Sequence, residues 1–227
     1  MFIGHFAAGF AAKPLAPRVS LGTLLVAATF IDLLWPIFLL FGLEHARIDP
    51  GNTAFTPLDF YDYPITHSLV GVLLWAALLG GAVQFFSRNG KTGKWPRVLV
   101  VGALVVSHWV LDAISHRPDM PVLPNGPYVG LGLWNSVAAT IVVEGALFAA
   151  GVAVYARSTR ARDRVGRWGL VGLVAFLALA FVANVFSPPP PSVRALTYGA
   201  LAAWLLVPWP YWIDRHRLPS GGDVSPR

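Results

Sequence analysis

Six stretches of the chain, at about residues 20–42, 65–86, 96–115, 134–156, 168–186 and 195–213, are apolar and almost free of charge. A helix needs about 20 such residues to cross a hydrocarbon core of roughly 30 Å, and backbone amides at that depth find partners only within a helix or a closed barrel. The expected fold is therefore all-α: a polytopic helical bundle of about six transmembrane helices, forming one domain over residues 1–215. Composition agrees, since 56% of the 227 residues are hydrophobic and 12% charged, against about 25% charged in soluble domains. Before the first run stands "MFIGHFAAGFAA", which reaches only ~18 Å as a helix. It is expected to be a short re-entrant or interfacial helix, and it lacks the basic leading region of a signal peptide. "SPPPPS" at 187–192 is a helix-free connector, because proline lacks the amide a helix requires. Residues 216–227, which contain "LPSGGDVSPR", are expected to form a disordered cytoplasmic tail.

The net charge of +6 raises a nucleic-acid partner, and the distribution of charge argues against one. Basic residues cluster in short loops: Lys13 and Arg18; Arg88, Lys91, Lys94 and Arg97; Arg157, Arg160, Arg162, Arg164 and Arg167; Arg215, Arg217 and Arg227. Fourteen of the 17 thus fall on one side, leaving Arg47, Arg117 and Arg194 on the other. The positive-inside rule then places both termini in the cytoplasm of a bacterial-type inner membrane, with loops 43–64, 116–133 and 187–194 facing outward. "RSTRARDRVGR" at 157–167 is read as part of this signal, with a lipid-headgroup or nucleic-acid patch as the alternative. The chain contains no Cys, so any metal would be held by His, carboxylate or water.

Ionisable groups inside a span cost about 2.5–3.5 kcal/mol or more on insertion scales and call for a reason. Asp32 lies midway along the first run, His108 and Asp112 in the third, and Glu144 midway along the fourth. His67 opens the second run in "YPITHS", and His5 sits in the N-terminal segment. In "SHWVLDAISHRPD", residues 107–119, the four-residue spacing puts His108, Asp112 and His116 on one helix face. Two carboxylates and an imidazole at similar depth offset their desolvation only by pairing or by sharing a cation. His5, Asp32, His67, His108, Asp112 and His116 are the candidate metal ligands. For His116 a plain helix end is the alternative, and for Glu144 a neutral carboxyl bonded to a neighbouring helix.

"GHFAAG", an Asp in the middle of the next apolar run, "THS" opening another, and "SHWVLD" within a helix resemble the YdjM-type membrane-bound metal-dependent hydrolases over roughly residues 4–120. The chain departs from that pattern at Leu34, where a second acid is usual, and at Asp62, Tyr63 and Pro64, where His-Arg-Gly precedes "THS". The ligand order is also similar to that of the zinc-dependent phospholipase C type and related nucleases. That second resemblance implies a bridging Asp112, with Asp32, His67 and His108 on one ion, His5 on the other and His116 available to a third.

The resemblances imply a divalent metal, most plausibly zinc, as one or two ions. His108 and Asp112 would be the residues at the centre of the chemistry, and the activity would be hydrolysis of a phosphoester or related bond in a membrane lipid or lipid-linked envelope substrate. Asp59 and Asp62 are candidates to orient an imidazole, Ser68 and Ser107 to donate hydrogen bonds, Arg117 to bind a substrate phosphate, and Asn135 and Glu144 to complete a third site. Trp134 is read as a membrane-interface anchor. Two other classes fit the same residues: a divalent-metal or proton-coupled transporter, and a non-catalytic scaffold locked by a metal. The sequence carries no signal for an oligomeric state.

Overall fold

The computed structural model describes residues 1–86 and 94–220. Arg88 and Lys91 of the second basic loop, and tail residues 221–227, lie outside the described residues. The molecule is mostly helical and membrane-associated. Helices α2 (Leu21–Leu40), α5 (Lys94–Ser115, apolar from Pro96), α6 (Val137–Ser158) and α7 (Arg164–Phe186) are long and apolar enough to cross a membrane. Five helices start at a side-chain cap, in which Ser20, Ser68, Ser136, Asp163 or Ser192 accepts from the amide three residues on. Each cap satisfies a donor that the first helical turn leaves open.

Against the six spans expected, four helices among the described residues are long and apolar enough to be spans. Helix α4 (Leu69–Phe85) is apolar but only 17 residues long. A short helix, α3 (Pro64–His67), replaces its first turn, because Ser68 leaves helical geometry to cap α4. The run 195–213 is broken into α8 (Val193–Leu201), a 3₁₀ segment (Ala202–Leu206) and α9 (Pro208–Arg215). Pro208 and Pro210 fall in the first turn of α9, where a helix needs no amide donors, so the chain restarts a helix there rather than continuing one.

The all-α expectation is corrected as well. Three two-stranded antiparallel pairs cover the helix ends: β1 (His45–Ile48) with β2 (Leu58–Asp62), β3 (Met120–Pro121) with β4 (Tyr128–Val129), and β5 (Thr159–Ala161) with β6 (Arg217–Pro219). Strand β6 lies inside the stretch read as a disordered tail. It is held because the Arg217 guanidinium donates to Thr159 and to the Gly166 carbonyl.

Helix α2 is the central post. Leu24, Ala27, Ala28 and Ile31 pack toward α4 and α5, while Leu21 and Leu25 belong to a second core with α6, α7 and α9. Such a helix is apolar all round because it has neighbours all round. Helix α1 (Ile3–Ala11) is buried beside it and runs parallel to α6: the Phe2 and Gly4 amides meet Glu144, and the Phe10 ring packs on Tyr155. A Cβ on Gly151 would lie 2.8 Å from Ala7 Cα and closer still to the Ala7 carbonyl, so the close approach of these two helices requires glycine at that point. At the basic end, Lys13 Nζ bonds Asp214 at 3.0 Å and the Val19 carbonyl at 2.8 Å. With Lys13 held there, residues 1–5 reach toward the middle of the bundle.

Gly151→Ala is expected to destabilise the protein by about 1–3 kcal/mol through overpacking, seen as a lower midpoint in thermal unfolding in detergent. Gly145→Ala on the same helix, where a Cβ meets nothing within 4 Å, is expected to be neutral or stabilising. The reverse ranking would contradict this packing of α1.

Candidate metal centre

Four elements aim side chains at one point. His108 and Asp112 are one turn apart on the same face of α5, Asp32 lies midway along α2, His67 ends α3, and His5 comes from α1. His108 Nε2 is 3.0 Å from Asp112 Oδ2 and 3.5 Å from Asp32 Oδ1. His67 Nε2 is 3.8 Å from Asp32 Oδ1 and 3.9 Å from Asp112 Oδ2. Four ligand atoms about 2.0–2.2 Å from one zinc in tetrahedral array stand roughly 3.3–3.6 Å apart. These four edges bracket that value.

The other carboxylate oxygens face His5. Its Nε2 lies 3.1 Å from Asp112 Oδ1 and 4.0 Å from Asp32 Oδ2, and its ring stacks on that of His108 at 3.7 Å and 7°. The Met1 amino group, a cation, meets the same Asp112 oxygen. Both acids therefore present one oxygen to the His67–His108 set and one to His5, the disposition a bridging carboxylate needs.

Two of the imidazoles, His108 and His67, are held in the tautomer that metal binding requires. His108 Nδ1 is 3.0 Å from the Ala28 carbonyl. A carbonyl only accepts, so the proton sits on Nδ1 and the Nε2 lone pair is left for the site. That Nε2 is buried without a hydrogen-bond partner, which fits an atom that ligates. Near His67, the Thr66 hydroxyl donates to Glu44 Oε2 at 2.6 Å, and the Thr66 amide donates to Oε1 at 2.7 Å. With its one proton committed, the hydroxyl accepts from His67 Nδ1 at 2.7 Å, again freeing Nε2. A carboxylate fixing a ligating imidazole is the usual support of a metal site, and here it acts through a threonine. Burial pushes the Glu44 carboxyl above its ordinary pKa, against the opposing pull of His67 and Thr66.

Among the described residues, the groups that could hold a metal are His5, Asp32, His67, His108 and Asp112. His116 is placed elsewhere: its Nδ1 bonds Asp119 at 3.0 Å, its ring lies 4.3 Å from Trp134 and 5.0 Å from Phe60, and burial holds its pKa below the ordinary value. Trp134 is correspondingly buried among aromatic rings rather than set out as an anchor.

The supporting residues also differ from expectation. Asp59 is buried between Arg47, at 2.6 Å, and Arg117, and Asp62 bonds His45 at 2.7 Å. Arg117 is thus held by Asp59 and by Asp119 at 3.0 Å, so its charge is already shared by two carboxylates. Ser68 caps α4, Ser107 donates to the Leu104 carbonyl, and Asn135 closes a 3₁₀ turn. Glu144 accepts from the amides of Phe2 at 2.7 Å and Gly4 at 3.2 Å. It caps α1 in trans by accepting from donors that the first turn leaves open, and in doing so positions His5. Glu44 and Thr66 were not anticipated. Thr66 has a signal in standing directly before a candidate ligand, but Glu44 is 22 residues away from it and has none.

The chain matches no protein-family model, no curated protein and no solved structure in the comparisons made with each.

Thr66→Val removes the hydroxyl between Glu44 and His67 and is expected to weaken metal binding by about 10–100-fold, with Thr66→Ser retaining it. Titration of the metal-free protein with zinc against a competing chelator reads the difference; equal affinities for all three proteins would remove the relay from the site.

Proposed function

We propose that this chain is a membrane-embedded metal-dependent hydrolase of the YdjM type, holding one or two zinc ions and cleaving a phosphoester or related bond in a lipid or lipid-linked substrate. The observation that carries the reading is the exposure of Asp32. Its side chain is 44% exposed, while those of His5, His67, His108 and Asp112 are between 0 and 6%. Four ligands are thus sealed and one side of the site is open. A scaffold metal is expected to be closed on all sides, whereas a catalytic one keeps a position for water or substrate.

Zinc in such a donor set supplies a water acidic enough to act near pH 7 and a Lewis acid for a phosphoryl oxygen. The protein supplies the geometry. Ala28 and the Glu44–Thr66 pair fix two imidazole tautomers, Asp112 holds the two sets of ligands together, and the aromatic wall of Phe60, Tyr63 and Trp134 keeps bulk water from the hairpin side. Asp32 then faces whatever enters.

The basic loops favour an orientation in a bacterial-type inner membrane with Lys13 and Arg215 toward the cytoplasm and β1–β2 toward the outer side. Because the chain has no native Cys, Tyr61→Cys is expected to react with an impermeant thiol reagent from outside and Leu15→Cys only from the cytoplasm. Both positions are exposed. The opposite labelling would invert the topology.

The activity itself is tested on purified, zinc-loaded protein with bis(p-nitrophenyl) phosphate. Hydrolysis that stops with a chelator and returns with zinc is expected, and His108→Ala is expected to lose both metal and turnover. Stoichiometric metal without turnover would favour the scaffold, and absence of bound metal would reject the site.

A further inference from the structure

The open side of Asp32 leads into an apolar cleft, and we infer that this cleft receives the hydrocarbon chain of the lipid substrate, next to its reacting group. The cleft encloses about 90 Å³ and is walled by Phe6, Val26, Leu173, Ala203 and Val207, with the Asp32 carboxylate at its edge. Thr29 also lines it, but its hydroxyl is already committed to the Leu25 carbonyl at 2.9 Å. A buried water needs two to four polar partners. A slot with one carboxylate at its edge does not supply them, so its occupant is hydrocarbon.

Depth points the same way. Val26 to Leu33 occupy the middle of α2, and Leu173 lies nine residues into α7, about 14 Å along it at 1.5 Å per residue. The wall is therefore at the level of acyl chains rather than headgroups. Its fourth side exists because the last apolar run is broken: the 3₁₀ segment Ala202–Leu206 lies along α2, pinned where the Trp204 indole donates to the Leu33 carbonyl at 2.9 Å. A slot of about 90 Å³ takes only a short length of chain, the part next to its polar end. Phe2 lines both this cleft and a wider cavity of about 640 Å³ beneath the loop of residues 50–58. The inference rests on the hydrolase reading for the reacting end of the molecule, and on the cleft alone for its chain.

The test uses the full-length, zinc-loaded protein in phosphatidylcholine vesicles containing a long-chain alkyl phosphate with a photoactivatable diazirine close to its phosphate. Irradiation and peptide mapping are expected to place adducts on Leu33 and on Ala203–Val207, competed by the unlabelled alkyl phosphate. Ala203→Trp and Val207→Trp, which fill the slot from separate positions, are expected to lose these adducts while labelling at the outward Leu74 and Leu78 persists. Adducts confined to outward residues, or cleft adducts that survive both fillings, would overturn the inference. The hydrolase reading is scored separately on the same samples: cleft labelling in a protein that binds zinc but hydrolyses neither the alkyl phosphate nor bis(p-nitrophenyl) phosphate would sink that reading and leave the cleft standing.

Discussion

Two carboxylates and three imidazoles meet inside an apolar bundle, and the cost of taking Asp32 and Asp112 out of water is the constraint on which the rest depends. Carboxylates at that depth persist only where positive charge or a shared cation offsets desolvation. The five side chains arrive from four elements that share no sequence neighbourhood. The bundle is consequently organised around α2, with α5 on one side and α1 on the other, and each of these helices delivers at least one side chain to the cluster.

That arrangement accounts for features that would otherwise be odd. A nine-residue helix is buried beside spans twice its length because it carries His5, and Glu144 caps it from α6 because its own N-terminus offers no side-chain cap. The apolar helix α4 begins late because the chain turns His67 inward before it starts, and the break at Ser68 does this. Glu44 lies beyond the end of α2 and is buried anyway, since it holds the residue that holds His67.

The membrane class and the five side chains that the structure brings together were legible in the sequence because each rests on a strong local rule. Long apolar runs have few solutions in lipid, and an acid or imidazole inside one is expensive enough to announce itself. Four-residue spacing puts His116 on the face of His108 and Asp112 with a plain helix end as the alternative, and in the structure the helix ends at Ser115 and the ring is taken up by Asp119, Tyr63 and Trp134. The span count failed where proline and a serine cap interrupt apolar runs, since hydropathy averages over such breaks. Glu44, Thr66 and the in-trans cap by Glu144 depend on contacts between distant segments, which spacing along the chain does not encode.

A zinc-edge X-ray absorption spectrum of the purified protein measures the central claim most directly. The account expects a mixed nitrogen and oxygen shell at about 2.0–2.2 Å with imidazole multiple scattering, diminished in His108→Ala. A protein that retains no zinc, or a spectrum of oxygen ligands without imidazole scattering, would contradict it.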